Sequence, residues 1–590
     1  MPDPKMTHQE EIREREAVIV LYIFGAAIVA AVLWIAHTRL FLTDQQLVEL
    51  SLWPILTVSF AISAIRYFAT REQRRAELWP KTSPVITSEQ DKQHLAEAVK
   101  KDAVLIGHRT TGEPFFWSQE QRSMQGICFG QSGSGKSTLE EGIIQQDIAR
   151  GGPIIFMDGK GEQKLLQQLI PAIAAAGRMH HLRLIDPQHP GFSASYNPLW
   201  IPEGLTPEDQ VAFIFDSFKM NSNAFFDDHQ RVYLENLVRI LHYSGHRFNF
   251  HDVLVIAYDV SALKRQVQAA MEFTKTNPVS PEERQALAMS VQNLATSFED
   301  KERVSKIQGL INHLSTFMTR GLAQITGGTD QVLNMNQVID ENLILYLCLN
   351  VNVNGKAVAS LGRILLQNLQ LMIGLRYSQS GYDTQHKFVS VIMDEFAPFA
   401  YEEFAQIINQ ARGTNVGFLF SLQSAPQLLK VGESFESDLS SAPNTTFMLR
   451  AKNDATAAMF LKQTSLVKDL RRSVQVVRKG LFSATYEEQD EGTQTEVTET
   501  AAKDMHLKRM PKGQMEALVS DDRQGSILEH VHVRKAALDF LIVSTEAVFF
   551  PPRKVCQKHS EGLHLDLPGV SFQQPDTRNA RRNSSRGGLR

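Results

Sequence analysis

Apolar and polar positions fall into blocks along this chain. Short runs that are apolar almost throughout recur at Ile154 to Met157, Leu182 to Ile185, Leu343 to Leu349, Val389 to Met393 and Phe418 to Leu422. Runs of that length, rich in branched and aromatic residues, predict buried strands. Between them lie stretches with apolar residues three and four apart, which predict helices. Strands alternating with helices give an α/β fold with a mostly parallel, doubly wound sheet. From Ile185 to Leu343 the strand pattern stops. Within that interval Thr206-Pro207-Glu208-Asp209 opens one helix, and Ser280-Pro281-Glu282-Glu283 opens another as a capping box. Residues 202–312 therefore read as an all-α domain inserted in the sheet domain.

A second hydrophobic pattern lies at the amino terminus. Ala17 to Ala36 is an uncharged apolar run long enough for one membrane-spanning helix. Leu50 to Phe68 is weaker, with Pro54 inside and Arg66 near its end, where the side chain can snorkel. Together they predict a transmembrane hairpin, against the alternative of a buried hairpin in a soluble protein, which stays open for the second run. Lys5, Arg13 and Arg15 precede the pair, and Arg71, Arg74, Arg75 and Lys81 follow it, so the positive-inside rule puts both ends in the cytoplasm. The expected division is a cytoplasmic stretch at 1–16, the hairpin at 17–70, a nucleotide-binding domain in two parts at 71–201 and 313–550 around the insertion, and a disordered basic tail at 551–590. Tyr486 to Asp504, acidic and threonine-rich, reads as a solvated loop.

Composition narrows the function. The 590 residues carry a formal net charge of −4, which excludes a generally basic, DNA-coating surface. Any nucleic-acid contact must come from local clusters of Lys and Arg. The three cysteines, Cys128, Cys348 and Cys556, show no metal-ligand spacing. They fit a reducing compartment, with Cys128 and Cys348 as core residues.

The chemistry sits at strand ends. Ile127, Cys128 and Phe129 lead into the loop Gly130, Gln131, Ser132, Gly133, Ser134, Gly135, Lys136, Ser137, Thr138, and a helix follows with Leu139, Ile143, Ile144 and Ile148 on one face. This strand, glycine loop and helix is the P-loop pattern for ATP. Its backbone N–H groups cradle phosphates, Lys136 reaches the β and γ phosphates, and Ser137 holds Mg²⁺. The apolar run Val389 to Met393 ends in Asp394 and Glu395. Asp394 is placed for the Mg²⁺ shell and Glu395 to take a proton from the attacking water, which argues for hydrolysis. A third strand ends in Gln423, an amide placed for the γ-phosphate or the lytic water. Phe404, Ile407, Ile408 and Ala411 mark a helix ending at Arg412-Gly413, near the catalytic edge of the sheet. Arg412 is a candidate arginine finger, or a helix C-terminal Arg that satisfies the dipole.

These motifs, in this order, resemble the type IV secretion coupling proteins, the TraD/TraG group of conjugation ATPases. The resemblance rests on the P-loop at Gly130 to Ser137, Asp158-Gly159-Lys160-Gly161-Glu162, Tyr196-Asn197-Pro198-Leu199, Asp394-Glu395-Phe396 and the stretch from Arg412 to Gln423. The family usually has Pro where this chain has Gly159. The resemblance implies a RecA-like P-loop NTPase domain, an all-α domain and a membrane hairpin in the bacterial inner membrane. It also implies a homo-hexamer with a central channel for single-stranded DNA and its relaxase, delivered to type IV secretion channel proteins. In such a ring ATP lies between subunits, so Arg412 reaches a neighbour's γ-phosphate.

Other readings remain. An FtsK-like DNA translocase usually carries more membrane spans and a winged-helix end. A coupling receptor for protein effectors usually carries a longer C-terminal extension. An ABC-type exporter lacks support because no LSGGQ-like signature follows the P-loop, and a non-enzymatic docking ring is disfavoured by the Asp394-Glu395 pair.

Overall fold

Thirteen strands lie among the described residues. They are β1 (Ala103–Arg109), β2 (Pro114–Ser118), β3 (Gly126–Phe129), β4 (Ile154–Asp158), β5 (Leu182–Ile185), β6 (Ile344–Cys348), β7 (Val389–Asp394), β8 (Val416–Leu422), β9 (Thr445–Met448), β10 (Leu466–Arg478), β11 (Tyr486–Thr500), β12 (Gln514–Asp521) and β13 (Gly525–Val533). Every residue of β3, β4, β6, β7, β8 and β9 is buried, which is why their sequences run apolar without alternation. This computed structural model describes residues 83–536, apart from 202–204, 219–223, 329–331, 354, 380–385, 465, 479–485, 501–503 and 522–524. The hairpin expected at 17–70, the basic tail and Cys556 lie outside the described residues.

Eleven strands form one sheet in the order β2-β1-β13-β12-β9-β3-β8-β7-β4-β6-β5. From β9 to β5 all neighbours are parallel. From β9 outwards through β12, β13, β1 and β2 they are antiparallel. The fold is thus α/β with a mostly parallel sheet, extended by an antiparallel wing that the apolar runs did not announce.

Helices cover the parallel part. We label α1 (Lys136–Arg150), α2 (Gly355–Gln379) and α3 (Phe404–Gly413). Helix α1 ends at Gly151, whose φ of 82° is the left-handed cap that glycine allows. Buried Arg122 donates to both oxygens of Asp147 on α1, at 2.7 and 2.6 Å, and to Ser390 Oγ on β7 at 3.0 Å. Among the described residues, one helix, Gly355–Ser378, is long and apolar enough to cross a membrane. It packs on Pro207–Ser217 and on α3, and Leu361, Ile364, Leu365, Leu369 and Ile373 are buried, so it serves as a core helix.

Between β5 and β6 the described residues hold helices and no strand. Pro207–Ser217 and Pro281–Glu299 each start with a capping box, on Thr206 with Asp209 and on Ser280 with Glu283. Helix Ala224–Tyr243 packs on the helices around it through Leu234, Leu237, Val238 and Leu241, spaced along one face and fully buried. Arg303–Thr316 runs past residue 312, so helix continues beyond that boundary. The Tyr196-Asn197-Pro198-Leu199 motif is structural here. Asn197 Nδ2 donates to the carbonyl of Phe248, and its Oδ1 accepts the N–H of Leu199.

The described residues fall into two units, 84–460 with 507–536, and 83 with 461–506. The second contains β10 and β11, an antiparallel ribbon. This corrects the reading of 486–504 as a solvated loop. β-Branched Thr493, Thr495, Val497, Thr498 and Thr500 favour extended pairing despite the acidic neighbours.

Candidate active site

Parallel strands bring their carboxyl ends to one edge, and there the chemistry collects. The loop after β3 turns tightly enough to need glycine, with Gly133 at φ 76° and Gly135 at φ 120°. It is braced on several sides. Gly130 N–H donates to Leu422 O, Gln131 N–H to Arg450 O, and Gly513 N–H to Ser134 O, all between 2.8 and 3.0 Å. The last bond comes from the antiparallel wing, which thereby supports the P-loop. Lys136 is 4% exposed, and its Nζ donates to Gly130 O at 2.5 Å and lies 3.8 Å from Glu395 Oε1. Ser137 is exposed at the first turn of α1, while Ser134 is buried with an unpartnered Oγ.

β7 ends at Asp394, adjacent in register to Asp158 at the end of β4. Asp394 Oδ1 is buried with no hydrogen-bond partner, and Oδ2 accepts from Lys160 Nζ at 2.6 Å. Glu395 follows with φ 53°, a left-handed conformation that costs a non-glycine residue on the order of 1 kcal/mol. Its Oε1 accepts from Gln423 Nε2 at 2.9 Å, so the amide at the tip of β8 orients the carboxylate at the tip of β7. Asp158 holds the turn beside them. Its Oδ1 accepts the N–H groups of Lys160 and Gly161, each at 3.0 Å, and its Oδ2 accepts from Tyr346 Oη at 3.1 Å.

The electrostatics follow from burial. Glu140, fully buried on α1, has its carboxyl pushed up to about 8, first by burial and then by the charge of Asp394, against Ser421, Lys160 and Lys136. Asp158 is pushed up to about 6 by burial and then by Asp394, opposed by the bonds from Gly161, Tyr346 and Lys160. For Lys160, burial works against the charge, but Asp394, then Glu140 and Glu395, outweigh it and raise the ammonium above its ordinary value.

Lys136, Asp394, Glu395 and Gln423 thus meet at one edge, as their positions at strand ends implied. Arg412 does not join them. It ends α3 just before β8, and β8 begins opposite Val389, the first residue of β7. Arg412 therefore stands at the amino-terminal edge, roughly 17 Å along the strand direction from Asp394. The expectation that it lies near the catalytic edge is corrected: a helix that follows a strand end must run back along the sheet to feed the next parallel strand. There Arg412 lines a cleft of about 780 Å³, with Asp147, Arg150, Lys387 and Asn415. Two contacts were not read from the sequence. Lys160 touches Asp394 across 234 positions of chain, and Glu140 belongs to the site although only its place on the buried face of α1 hinted at it.

The atoms present suit a phosphate-bearing ligand and a divalent cation. A glycine loop with a lysine faces the first, and exposed Ser137 with the unpartnered Asp394 Oδ1 faces the second. This geometry defines a P-loop nucleotide site on a parallel α/β sheet. Residues 86–465 match the family of type IV secretory system conjugative DNA transfer proteins, and the chain belongs to that family. The resemblance drawn from the motifs is borne out. A curated relative is the type 4 coupling protein DotL of Legionella pneumophila subsp. pneumophila strain Philadelphia 1, 19% identical over 456 residues. That match takes in 68% of this chain, which spans 56% of the relative's length. Among solved structures, the bacterial conjugative coupling protein TrwBdeltaN70 is similar at 12% identity and a TM-score of 0.49, over 75% of this chain and 92% of that one. TrwB in complex with ADP and Mg²⁺ is similar at 12% identity and a TM-score of 0.49, over 78% and 94%. VirB4 of Thermoanaerobacter pseudethanolicus follows at 12% identity and a TM-score of 0.44, over 74% and 97%.

Proposed function

We propose that this chain is a membrane-anchored, hexameric, RecA-like ATPase that couples a relaxase–DNA complex to a type IV secretion channel and drives DNA through it. The convergence of Lys136, Asp394, Glu395 and Gln423 on one sheet edge carries this reading. Family membership supports the type IV secretion setting, and the apolar runs at 17–70 support the inner-membrane anchor. ATP supplies the phosphoanhydride bond and Mg²⁺ the charge neutralisation of its phosphates.

The protein's part is positioning. The loop from Gly130 to Thr138 binds the phosphates, and Lys136 moves from Gly130 O to them. Ser137 and Asp394 would hold the cation. Glu395, fixed by Gln423, takes a proton from the attacking water as the γ-phosphoryl group passes to its oxygen, which gives ADP and inorganic phosphate. Arg412 serves a neighbouring subunit's site, because its own lies at the other edge of the sheet.

The assignment is tested at Glu395. Glu395→Gln is expected to keep nucleotide binding and to lose hydrolysis by a factor of about 10²–10⁴, read as phosphate release at saturating ATP. Turnover near that of the unaltered protein would remove Glu395 from the chemistry.

A further inference from the structure

We propose that Lys160 is the resident counter-cation of this site and sets how far nucleotide binding depends on a divalent cation. The inference rests on reading the P-loop as an ATP site. The Lys160 ammonium lies 2.6 Å from Asp394 Oδ2 and 3.6 Å from Glu395 Oε1, with side-chain exposure of 27% against 5% and 11% for its partners. No other ammonium contacts Asp394 among the described residues, and Lys136 is 3.8 Å from Glu395. Buried Glu140 adds a third carboxyl beside them. Two lysines therefore balance this cluster, and one of them is also the phosphate-binding lysine.

The backbone aims Lys160 deliberately. Asp158 Oδ1 accepts the adjacent N–H groups of Lys160 and Gly161. Gly159 N–H donates to Asp394 O at 3.1 Å, and a Cβ at 159 would come within 2.9 Å of the carbonyls of Asp394 and Glu395. Gly161 has φ +63°, and a side chain there would meet Asn350. A proline at 159 could not give the hydrogen bond to Asp394, so the glycine locks this turn to the end of β7.

The two oxygens of Asp394 divide the work. Oδ2 is taken by Lys160, while Oδ1 is buried and unpartnered. An ammonium on one oxygen leaves the other for the cation's side of the site. Without the ammonium, triphosphate would approach Asp394 unbalanced, with Lys136 at 3.8 Å from Glu395 as the remaining ammonium, so that a divalent cation would have to make up the missing charge. With it, part of the cation's electrostatic role is already supplied by the chain.

The test is equilibrium binding of a fluorescent ATP analogue to the full chain in detergent, once with Mg²⁺ and once with EDTA. Lys160→Met is expected to weaken binding about tenfold or more in EDTA and less than about threefold in Mg²⁺. Lys160→Arg, which keeps the charge, is expected to hold the ratio of the unaltered protein. Lys160→Gln removes the charge while keeping a hydrogen-bonding group, and reads the same ratio if the Met variant fails to fold. Equal losses in both buffers, or no loss in EDTA, would overturn the proposal and leave Lys160 as a structural contact. Should the unaltered protein bind the analogue in neither buffer, the ATP reading itself falls, and this proposal with it. Binding by the unaltered protein with an unchanged ratio in the charge-removing variants sinks only the role of Lys160.

Discussion

Asp158, Glu140, Asp394 and Glu395 share their surroundings with Lys136 and Lys160, and burial raises the carboxyls of Glu140 and Asp158. Glu140 is raised from 4.5 to about 8 by burial and by Asp394. The folded chain therefore keeps a proton there that the unfolded chain releases. Below 4.5 both states are protonated and no stability is lost; as the pH rises from there to about 8, only the unfolded state ionises, so stability falls. Glu140→Gln removes this dependence. In EDTA its melting temperature is expected to gain on the unaltered protein as pH rises through that window. A difference that stays constant across the window would contradict the placement of Glu140. The P-loop was readable because its parts are contiguous in sequence. The Lys160 contact was not, because it forms only when β4 and β7 pair. Glu140 and Asp147 are carboxyl residues on the buried face of α1, and such residues need a named partner from the fold before their role can be read.

At the scale of elements, the parallel strands declare themselves through uninterrupted apolar runs, and the helix starts through their caps. The antiparallel wing is less legible. β12 contains Met515, Glu516, Ala517 and Leu518, all good helix formers, and β9 is only Thr445–Met448. The strand character of β12 comes from pairing with β9 and β13 rather than from local preference, while short β9 is held between β3 and β12. A different element-scale bond ties helix to sheet: Arg122 joins α1 and β7 through Asp147 and Ser390. Arg122→Ala leaves the Asp147 carboxylate buried without its partner, which is expected to cost about 3–5 kcal/mol in unfolding experiments. Replacing both Arg122 and Asp147 by leucine is expected to recover much of that loss. A loss below about 1 kcal/mol in Arg122→Ala would show that the pair does not hold these elements together.

For the whole molecule, the position of Arg412 bears on assembly. A side chain at the amino-terminal edge of the sheet serves catalysis only if another copy brings its nucleotide edge to it. Arg412→Ala is then expected to bind nucleotide normally and to lose hydrolysis by about 10³–10⁵ in assembled protein. Mixed with Glu395→Gln subunits, it is expected to recover part of the activity, because some interfaces would pair an intact Glu395 with an intact Arg412. No recovery at any mixing ratio would argue against catalysis between subunits. The net charge is also a whole-molecule constraint. With −4 overall, a DNA cargo would have to be gripped by local basic groups, and such a grip weakens as salt rises.

The central claim, an ATP-driven DNA motor, is tested most directly by steady-state ATP hydrolysis of the full chain in detergent, with and without single-stranded and double-stranded DNA, at low and at high salt. The expected result is hydrolysis that DNA stimulates at low salt, with the stimulation fading as salt rises. Hydrolysis indifferent to either DNA at both salts would contradict DNA as the cargo, and no hydrolysis under any of these conditions would contradict the motor.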